Sequence, residues 1–352
     1  MSNGDPTGRR PAEPVVASVI IPAHQAAAFV HCAIESALAQ TREDIEVVVV
    51  DDGSSDGTWD AITACAERDG RVVPLRQPRR AGPSAARNAG IARARGKWIA
   101  VLDADDLYLP RRLEHMIAAA EELGADLIAD NMLQVDFLTG ESMGRRFRDT
   151  VMNRGEPVSL SEAVRRDMPG PGAKGEMFGF LQPLVRRDFL LAHGVRYAED
   201  IQVGEDFLLY FECIALGGRF HLTPVAHYVQ RIRCGSHSAR REAMLHLSAA
   251  NRRMLETAAR LRDPDAAALL RKRQRQIDID CFSMLLERGR VWDALRHAHC
   301  GSPARLLRHA RAVAGAARRR FRPDAASAMA AANPAMDTKA AVPRPASAVR
   351  QA

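Results

Sequence analysis

Three carboxylates follow one short apolar run in the middle of the chain. Residues 98–102 read WIAVL, which is typical of a strand buried on both faces, and Asp103, Asp105 and Asp106 come directly after it. Carboxylates this close repel each other and resist desolvation, so a folded protein compensates them with a cation, a proton or a strong donor. The alternative is a solvated acidic turn that caps the next helix.

Two further acidic pairs could do chemistry. Asp51 and Asp52 follow the apolar run IEVVVV and can accept hydrogen bonds from a base N–H or a ribose hydroxyl, although Asp52, or one of the polar residues after it, can also cap the next helix. Glu205 and Asp206 stand at the start of a predicted helix over residues 208–216. They either cap that helix or supply a carboxylate that takes a proton from an attacking hydroxyl.

Basic residues accompany these acids. Arg87 lies in the small-residue stretch GPSAARNAG and offers a forked cation to a ligand, or it bridges to a neighbouring acid. Arg231 and Arg233 belong to the stretch 226–238, which we predict to follow a strand and to close over a diphosphate.

The elements that must position these residues alternate between strand and helix. Apolar runs at 15–22 and 45–50 are each followed by a helical pattern, which predicts parallel pairing with right-handed crossovers. Ligands of such sheets bind beyond the carboxyl ends of the strands, where the acidic groups stand. Residues 139–174 are weakly periodic, which predicts a mobile segment covering the site.

We divide the chain into four parts on composition. They are a disordered leader (1–14), an α/β domain (15–238), a basic helical extension (239–322) and a disordered tail (323–352). Within the extension, residues 305–322 are rich in arginine and contain no acid, so they are either a contact with an anionic membrane surface or a solvated basic helix.

Composition narrows the classes of protein. The chain has 352 residues, a net charge of +7 and 47% hydrophobic residues, which is typical of a globular protein. Its six cysteines are scattered, and neither a signal peptide nor a membrane-spanning run is present, so we expect a cytoplasmic protein, at most peripheral at the inner face of the plasma membrane. Only 5% of residues are aromatic, which offers few platforms for stacking nucleic-acid bases, and we expect no nucleic-acid partner.

Four motifs in this order resemble the inverting family 2 glycosyltransferases of the GT-A fold. They read SVIIPAHQ, VVVVDDGSSDGT, GPSAARNAGIARARGKWIAVLDADD and GEDF, and they cover residues 18–238. Within that family the chain resembles bacterial exopolysaccharide enzymes such as the succinoglycan glucosyltransferases. The resemblance implies a mostly parallel nucleotide-binding sheet flanked by helices, with a helical C-terminal extension.

The resemblance also implies a nucleotide-sugar site. The residues that would hold the nucleoside are Pro22, Ala23, Asp51 and Asp52. Arg87 would help with the nucleotide end, and Asp103 would contact the ribose or a metal-bound water. We expect the donor to be a UDP-sugar, with glucose or another hexose transferred.

The remaining implied roles concern the metal and the base. Asp103 and Asp105 match the DxD motif, with Asp105 in direct contact with Mg or Mn. Asp206 matches the catalytic base, with Glu205 as its neighbour or substitute. The acceptor would be a glycan or a polyprenyl-linked sugar.

Two other classes compete with this interpretation. A sugar-phosphate nucleotidyltransferase usually has a Gly-rich loop after its first strand, whereas residues 22–25 read PAHQ. The other class is a non-catalytic nucleotide- or membrane-binding protein. The clustered carboxylates described above argue against it.

Overall fold

The computed structural model describes residues 14–152, 155–168, 177–233, 243–287 and 290. Its strands form one sheet in the order β3-β2-β1-β4-β8-β6-β9-β5, with β7 paired to β6 at the side. The strands are β1 (Ala17–Ala23), β2 (Ile45–Asp51), β3 (Val72–Arg76), β4 (Trp98–Val101), β5 (Leu107–Tyr108), β6 (Leu127–Asp136), β7 (Ser142–Arg145), β8 (Leu184–Arg186) and β9 (Phe220–Ile232).

Helices flank this sheet, as the sequence predicts. They are α1 (Val30–Leu38), α2 (Thr58–Arg68), α3 (Pro83–Arg93), α4 (Arg112–Glu122), α5 (Asp149–Met152), α6 (Leu160–Arg166), α7 (Arg187–His193), α8 (Glu205–Ala215), α9 (Ala243–Leu261) and α10 (Pro264–Glu287). No helix in the described ranges is both long and apolar enough to span a bilayer.

The first half of the sheet is parallel. Strand β1 pairs with β2 and with β4, and β2 pairs with β3, all in parallel register. Every residue of β2 is buried, as expected for an apolar strand covered on both faces. The carboxyl ends of β1, β2 and β4 therefore meet at one edge, which gathers the residues after Pro22, after Val50 and after Val101.

The second half of the sheet is mixed. Strand β8 runs antiparallel to β4 and β6, whereas β9 runs parallel to β6 and antiparallel to β5. Our prediction that residues 226–232 follow a strand is wrong, because β9 continues to Ile232. Its register against β6 shifts near Pro224, and a proline, which lacks an N–H, is tolerated at such an irregularity.

Helix α8 begins three residues earlier than the sequence pattern predicts. Gly204 precedes it with φ of +87°, a conformation that glycine adopts without strain, and a Cβ there would lie 2.8 Å from Leu247 Cδ2 in α9. Glu205 and Asp206 therefore lie in the first helical turn rather than ahead of it.

The two long C-terminal helices pack onto the rest of the chain. Ala250, Met254 and Leu270 of α9 and α10 are fully buried in the same apolar core as the sheet. Arg273 of α10 forms a buried ion pair of 2.6 Å with Asp167, just after α6. The predicted leader lies outside the described residues except for its last member, and the basic run 305–322 and the tail lie wholly outside them.

Candidate active site

The acidic turn after β4 divides into one buried and two accessible carboxylates. Asp106 is buried and accepts hydrogen bonds from the Tyr228 hydroxyl and the Arg231 N–H, both at 2.8 Å. The side chains of Asp103 and Asp105 remain 34% and 26% exposed. Asp106 thus fixes the turn, whereas the carboxylates of Asp103 and Asp105 stay partly exposed and pair with Arg87 and Arg233.

A buried polar cluster supports the turn from behind. Tyr228 also accepts a hydrogen bond from the Asp103 N–H at 3.3 Å. The Arg112 guanidinium lies 4.3 Å from the Tyr108 ring centroid and forms an ion pair of 2.7 Å with Asp130. Sequence reasoning selected neither Tyr228 nor Arg112, because no local motif marks them and they reach the turn only through the fold.

Arg87 joins the acidic turn to the start of α8. Its Nη2 lies 3.1 Å from Asp103 Oδ1, and its Nη1 lies 2.9 Å from Glu205 Oε1 and 3.2 Å from Asp206 Oδ1. The contact with Asp206 has ion-pair distance without hydrogen-bond geometry. Of the two interpretations of Arg87, the bridge between acids is the one that the structure displays; direct contact with a nucleotide stays a prediction.

Glu205 and Asp206 differ in how tightly they are held. The Glu205 side chain is 8% exposed and receives a hydrogen bond from Arg87, whereas that of Asp206 is 16% exposed. Burial raises the pKa of Asp206 well above its usual value; Arg87 opposes this effect, while Glu205 and Asp103 add to it. A raised pKa suits a carboxylate that must take up a proton near neutral pH.

The edge formed by β1 and β2 carries the predicted nucleoside residues. Pro22 and Ala23 end β1, and Ala23 is in register with Asp51. Asp52 accepts hydrogen bonds from the N–H groups of Ala81 and Gly82 at 2.6 and 2.8 Å, so it holds the loop before α3.

Asp51 keeps one oxygen without a hydrogen bond. Its Oδ1 accepts from the Ser54 N–H at 3.0 Å, and its buried Oδ2 lies 3.3 Å from Arg76 Nε without hydrogen-bond geometry. Among the candidates for capping α2, Asp56 accepts from the Thr58 N–H at 3.1 Å. Capping therefore does not account for the pair Asp51 and Asp52.

Arg231 and Arg233 face the acidic turn. Arg231 Nε donates to the main-chain oxygen of Asp105, and Arg233 Nη2 lies 2.9 Å from the Asp105 carboxylate. Their guanidinium groups lie over the rings of Phe137 and Phe29, at 4.9 and 5.0 Å from the centroids. Their contact with a diphosphate stays a prediction.

The donor set at the turn fits a divalent cation that a substrate helps to hold. Within the described ranges, no group of three or more His, Cys, Asp or Glu side chains is arranged as a complete metal site. Mg²⁺ is commonly bound by one or two carboxylates together with substrate phosphates, and Asp103 and Asp105 provide that number of accessible carboxylates. Burial, followed by the charge of Asp103, raises the pKa of Asp105, which a bound cation would counteract.

Comparison with known proteins defines the class. Residues 18–170 match the model of glycosyl transferase family 2. The succinoglycan biosynthesis protein ExoU of Rhizobium meliloti is 35% identical over 268 residues, which cover 76% of each chain. ExoO of the same organism is 39% identical over 217 residues, which span 62% of this chain and 61% of ExoO. The chain therefore belongs to glycosyl transferase family 2.

Solved structures agree on the fold. Staphylococcus aureus TarS 1–349 in complex with UDP-GlcNAc superposes with a TM-score of 0.55 at 19% identity, over 78% of this chain and 82% of that one. The mannosyltransferase PcManGT from Pyrobaculum calidifontis, in complex with GDP-Man and Mn²⁺, gives 0.52 at 22% identity, over 90% and 78%. These structures confirm the predicted GT-A fold. The predicted class, glycosyltransferase, is confirmed by the family match and the curated relatives.

Proposed function

We propose that the chain transfers a hexose, with inversion, from a UDP-sugar to a lipid-linked or saccharide acceptor in the synthesis of a bacterial exopolysaccharide. The observation that carries this proposal is the position of Arg87, which holds the acidic turn and the start of α8 around one buried cation. The names of ExoO and ExoU support the exopolysaccharide context. A relative from Escherichia coli, WfaP, 35% identical over 100 residues, is named for transfer from UDP-Glc to a GlcNAc-diphosphoundecaprenol.

On the donor side, each residue has one task. Pro22, Ala23 and Asp51 would hold the nucleoside at the β1–β2 edge, and Asp52 would keep the loop 79–82 in place beside it. Asp103 and Asp105 would hold Mg²⁺ or Mn²⁺. When bound, such a cation stabilises the negative charge that grows on the departing nucleoside diphosphate.

On the acceptor side, Asp206 would take the proton of the attacking hydroxyl. The oxygen of that hydroxyl forms a bond to the anomeric carbon while the bond from that carbon to UDP breaks, and attack from the opposite face inverts the configuration. Glu205 would hold Arg87, and Arg87 would keep Asp206 oriented toward the acceptor.

A lipid-linked acceptor would bring the enzyme to the inner face of the plasma membrane. The basic run 305–322 is our candidate for that peripheral contact.

Calorimetric titration with UDP, with and without Mn²⁺, tests the donor site. We expect Mn²⁺-dependent binding to the wild type and at least a tenfold loss in Asp105→Ala, because one of two metal-binding carboxylates is removed. Asp188→Ala is the matched control, since that side chain is 84% exposed and its ion pair is long, at 4.0 Å. A UDP affinity that changes neither on addition of Mn²⁺ nor in Asp105→Ala would refute the assignment of Asp105 as a metal ligand.

A further inference from the structure

Arg146 directly follows β7, the strand that pairs with β6. Its N–H donates to the Met132 oxygen at 2.9 Å, and its Nη1 donates to Gln230 Oε1 at 2.8 Å. Gln230 stands two residues from Tyr228 on β9 and so points to the same face of the sheet. Arg146 is thereby directed to the side on which Tyr228 holds the acidic turn.

The charge of Arg146 has no acidic partner in contact. Its guanidinium lies 3.7 Å from the Phe180 ring centroid, its Nε is buried without a hydrogen bond, and no ion pair joins it to any residue of the described ranges. Burial lowers its pKa to about 10, and only the charge of Asp106 opposes this shift. A partly buried cation with unused donors favours an oxyanion, which a guanidinium binds through paired N–H groups.

The segment under Arg146 connects the two halves of the site. The 3-10 turn Phe178–Phe180 packs on α8, where a Cβ on Gly179 would lie 3.3 Å from Phe207 Cβ. Two residues after Phe180, the side chain of Gln182 donates to Asp103 Oδ2 at 3.4 Å. Arg146 therefore stands on the wall that runs from the start of α8 to the acidic turn.

We propose that Arg146 binds a phosphoryl oxyanion of the acceptor, beside the sugar whose hydroxyl Asp206 deprotonates. The proposal rests on the proposed function. The donor diphosphate is the other source of the same chemistry. Arg231 and Arg233, however, lie at Asp105, where the proposed metal would be held, whereas Arg146 stacks on the segment that packs against α8. An acceptor diphosphate that joins a sugar to a lipid carrier matches this position.

The test uses the full chain saturated with UDP and Mn²⁺, into which glucose 1-phosphate is titrated calorimetrically. Charge-assisted hydrogen bonds are strong, so we expect Arg146→Gln to lower the affinity for glucose 1-phosphate by about tenfold or more. Arg146→Lys, which keeps the charge without the fork, should give an intermediate affinity. Arg145→Gln is the matched control, because this neighbour is exposed and pairs with Asp149 at 2.8 Å.

The affinity for UDP and Mn²⁺ separates the outcomes. An unchanged UDP affinity in Arg146→Gln shows that the variant is folded. If its affinity for glucose 1-phosphate is lower at the same time, the result supports an acceptor site. No binding of glucose 1-phosphate to the wild type, equal binding to Arg146→Gln, or an equal loss of UDP affinity would overturn the proposal. If the wild type does not bind UDP, the proposed function is wrong. In that case, titration with glucose 1-phosphate in the absence of UDP tests separately whether Arg146 binds a phosphoryl group.

Discussion

Glu205 and Asp206 are adjacent in the sequence but are held differently in the site. Glu205 accepts a hydrogen bond from Arg87. Asp206 is more exposed, and its contact with Arg87 is an ion pair of 3.2 Å without hydrogen-bond geometry. The residue that is more exposed and less committed is the better proton acceptor. We therefore propose Asp206 rather than Glu205 as the base.

Paired isosteric variants separate these roles. Asp206→Asn should lower kcat by about 10²- to 10⁴-fold, the usual contribution of a general base, with UDP affinity little changed. Glu205→Gln retains an oxygen for Arg87 and should cost only a few-fold. Release of UDP from UDP-glucose and other UDP-hexoses measures both rates, and a larger loss in Glu205→Gln would exchange the two assignments.

Local chemistry decided which site residues could be predicted. Asp103, Asp105 and Asp206 stand beside recognisable strand ends or helix starts, so residue type and spacing predict where they lie, whereas their roles stay predictions. Tyr228 and Arg146 act on residues far away in the chain, at contacts such as the 2.8 Å hydrogen bond from Tyr228 to Asp106. No pattern within a short window encodes such a contact.

At the scale of elements, one buried ion pair fastens α10 to the segment after α6. Asp167 accepts from Arg273 and from the Gly179 N–H at 2.7 Å, and Arg273 also donates to Asn251 Oδ1 at 3.1 Å. Gly179 belongs to the 3-10 turn beneath Arg146. The C-terminal helices therefore help to position a wall of the active site.

Removing one member of this pair should destabilise the fold. Arg273→Met leaves the Asp167 carboxylate buried without its cation, which typically costs about 3–5 kcal/mol in the free energy of unfolding. The double variant Asp167→Leu, Arg273→Met should recover part of that loss. Urea unfolding of the wild type and both variants measures the change. The control is Arg253→Gln, from an exposed ion pair with Asp200, which should change stability by less than about 1 kcal/mol. A loss in Arg273→Met no larger than in this control would show that the pair is dispensable.

Predictability of the elements differs between the two halves of the sheet. Strands β1, β2 and β4 are apolar runs between helical patterns, and their parallel pairing follows from the rules of parallel crossovers. Residues 142–166 instead contain β7, α5 and α6, and the three-residue strand β8 follows further on, all too short to show a period. Weak periodicity there reflects short elements, and the prediction that residues 139–174 are mobile and cover the site stays a prediction.

For the molecule as a whole, buried histidines make stability depend on pH. His221 of β9 is 2% exposed, and neither ring nitrogen has a hydrogen-bond partner among the described residues. Burial, helped by the nearby charge of Arg219, lowers its pKa, and burial lowers the pKa of His227 as well. The folded state therefore resists protonation that the unfolded chain accepts below about pH 6.5.

Stability that is fully present above about pH 6.5 should decline as the pH falls from there toward the lowered pKa values. His221→Leu should flatten part of this decline, by about 1.4 kcal/mol for each unit by which the pKa of His221 is lowered. Urea unfolding between pH 5 and pH 8 measures the slope, with exposed His193→Gln as the control. An unchanged slope in His221→Leu would contradict the assignment.

The bridge made by Arg87 also limits how such an enzyme can be recombined. The match to the family model ends at residue 170, so that residue is an obvious junction for chimeras that exchange the following part of the chain between transferases. A junction there would part Arg87 from Glu205 and Asp206, and a foreign half without equivalent acids would leave a buried cation with a single acidic partner, Asp103. The part of the chain after residue 170 is therefore exchangeable only if the replacement carries equivalents of those two carboxylates.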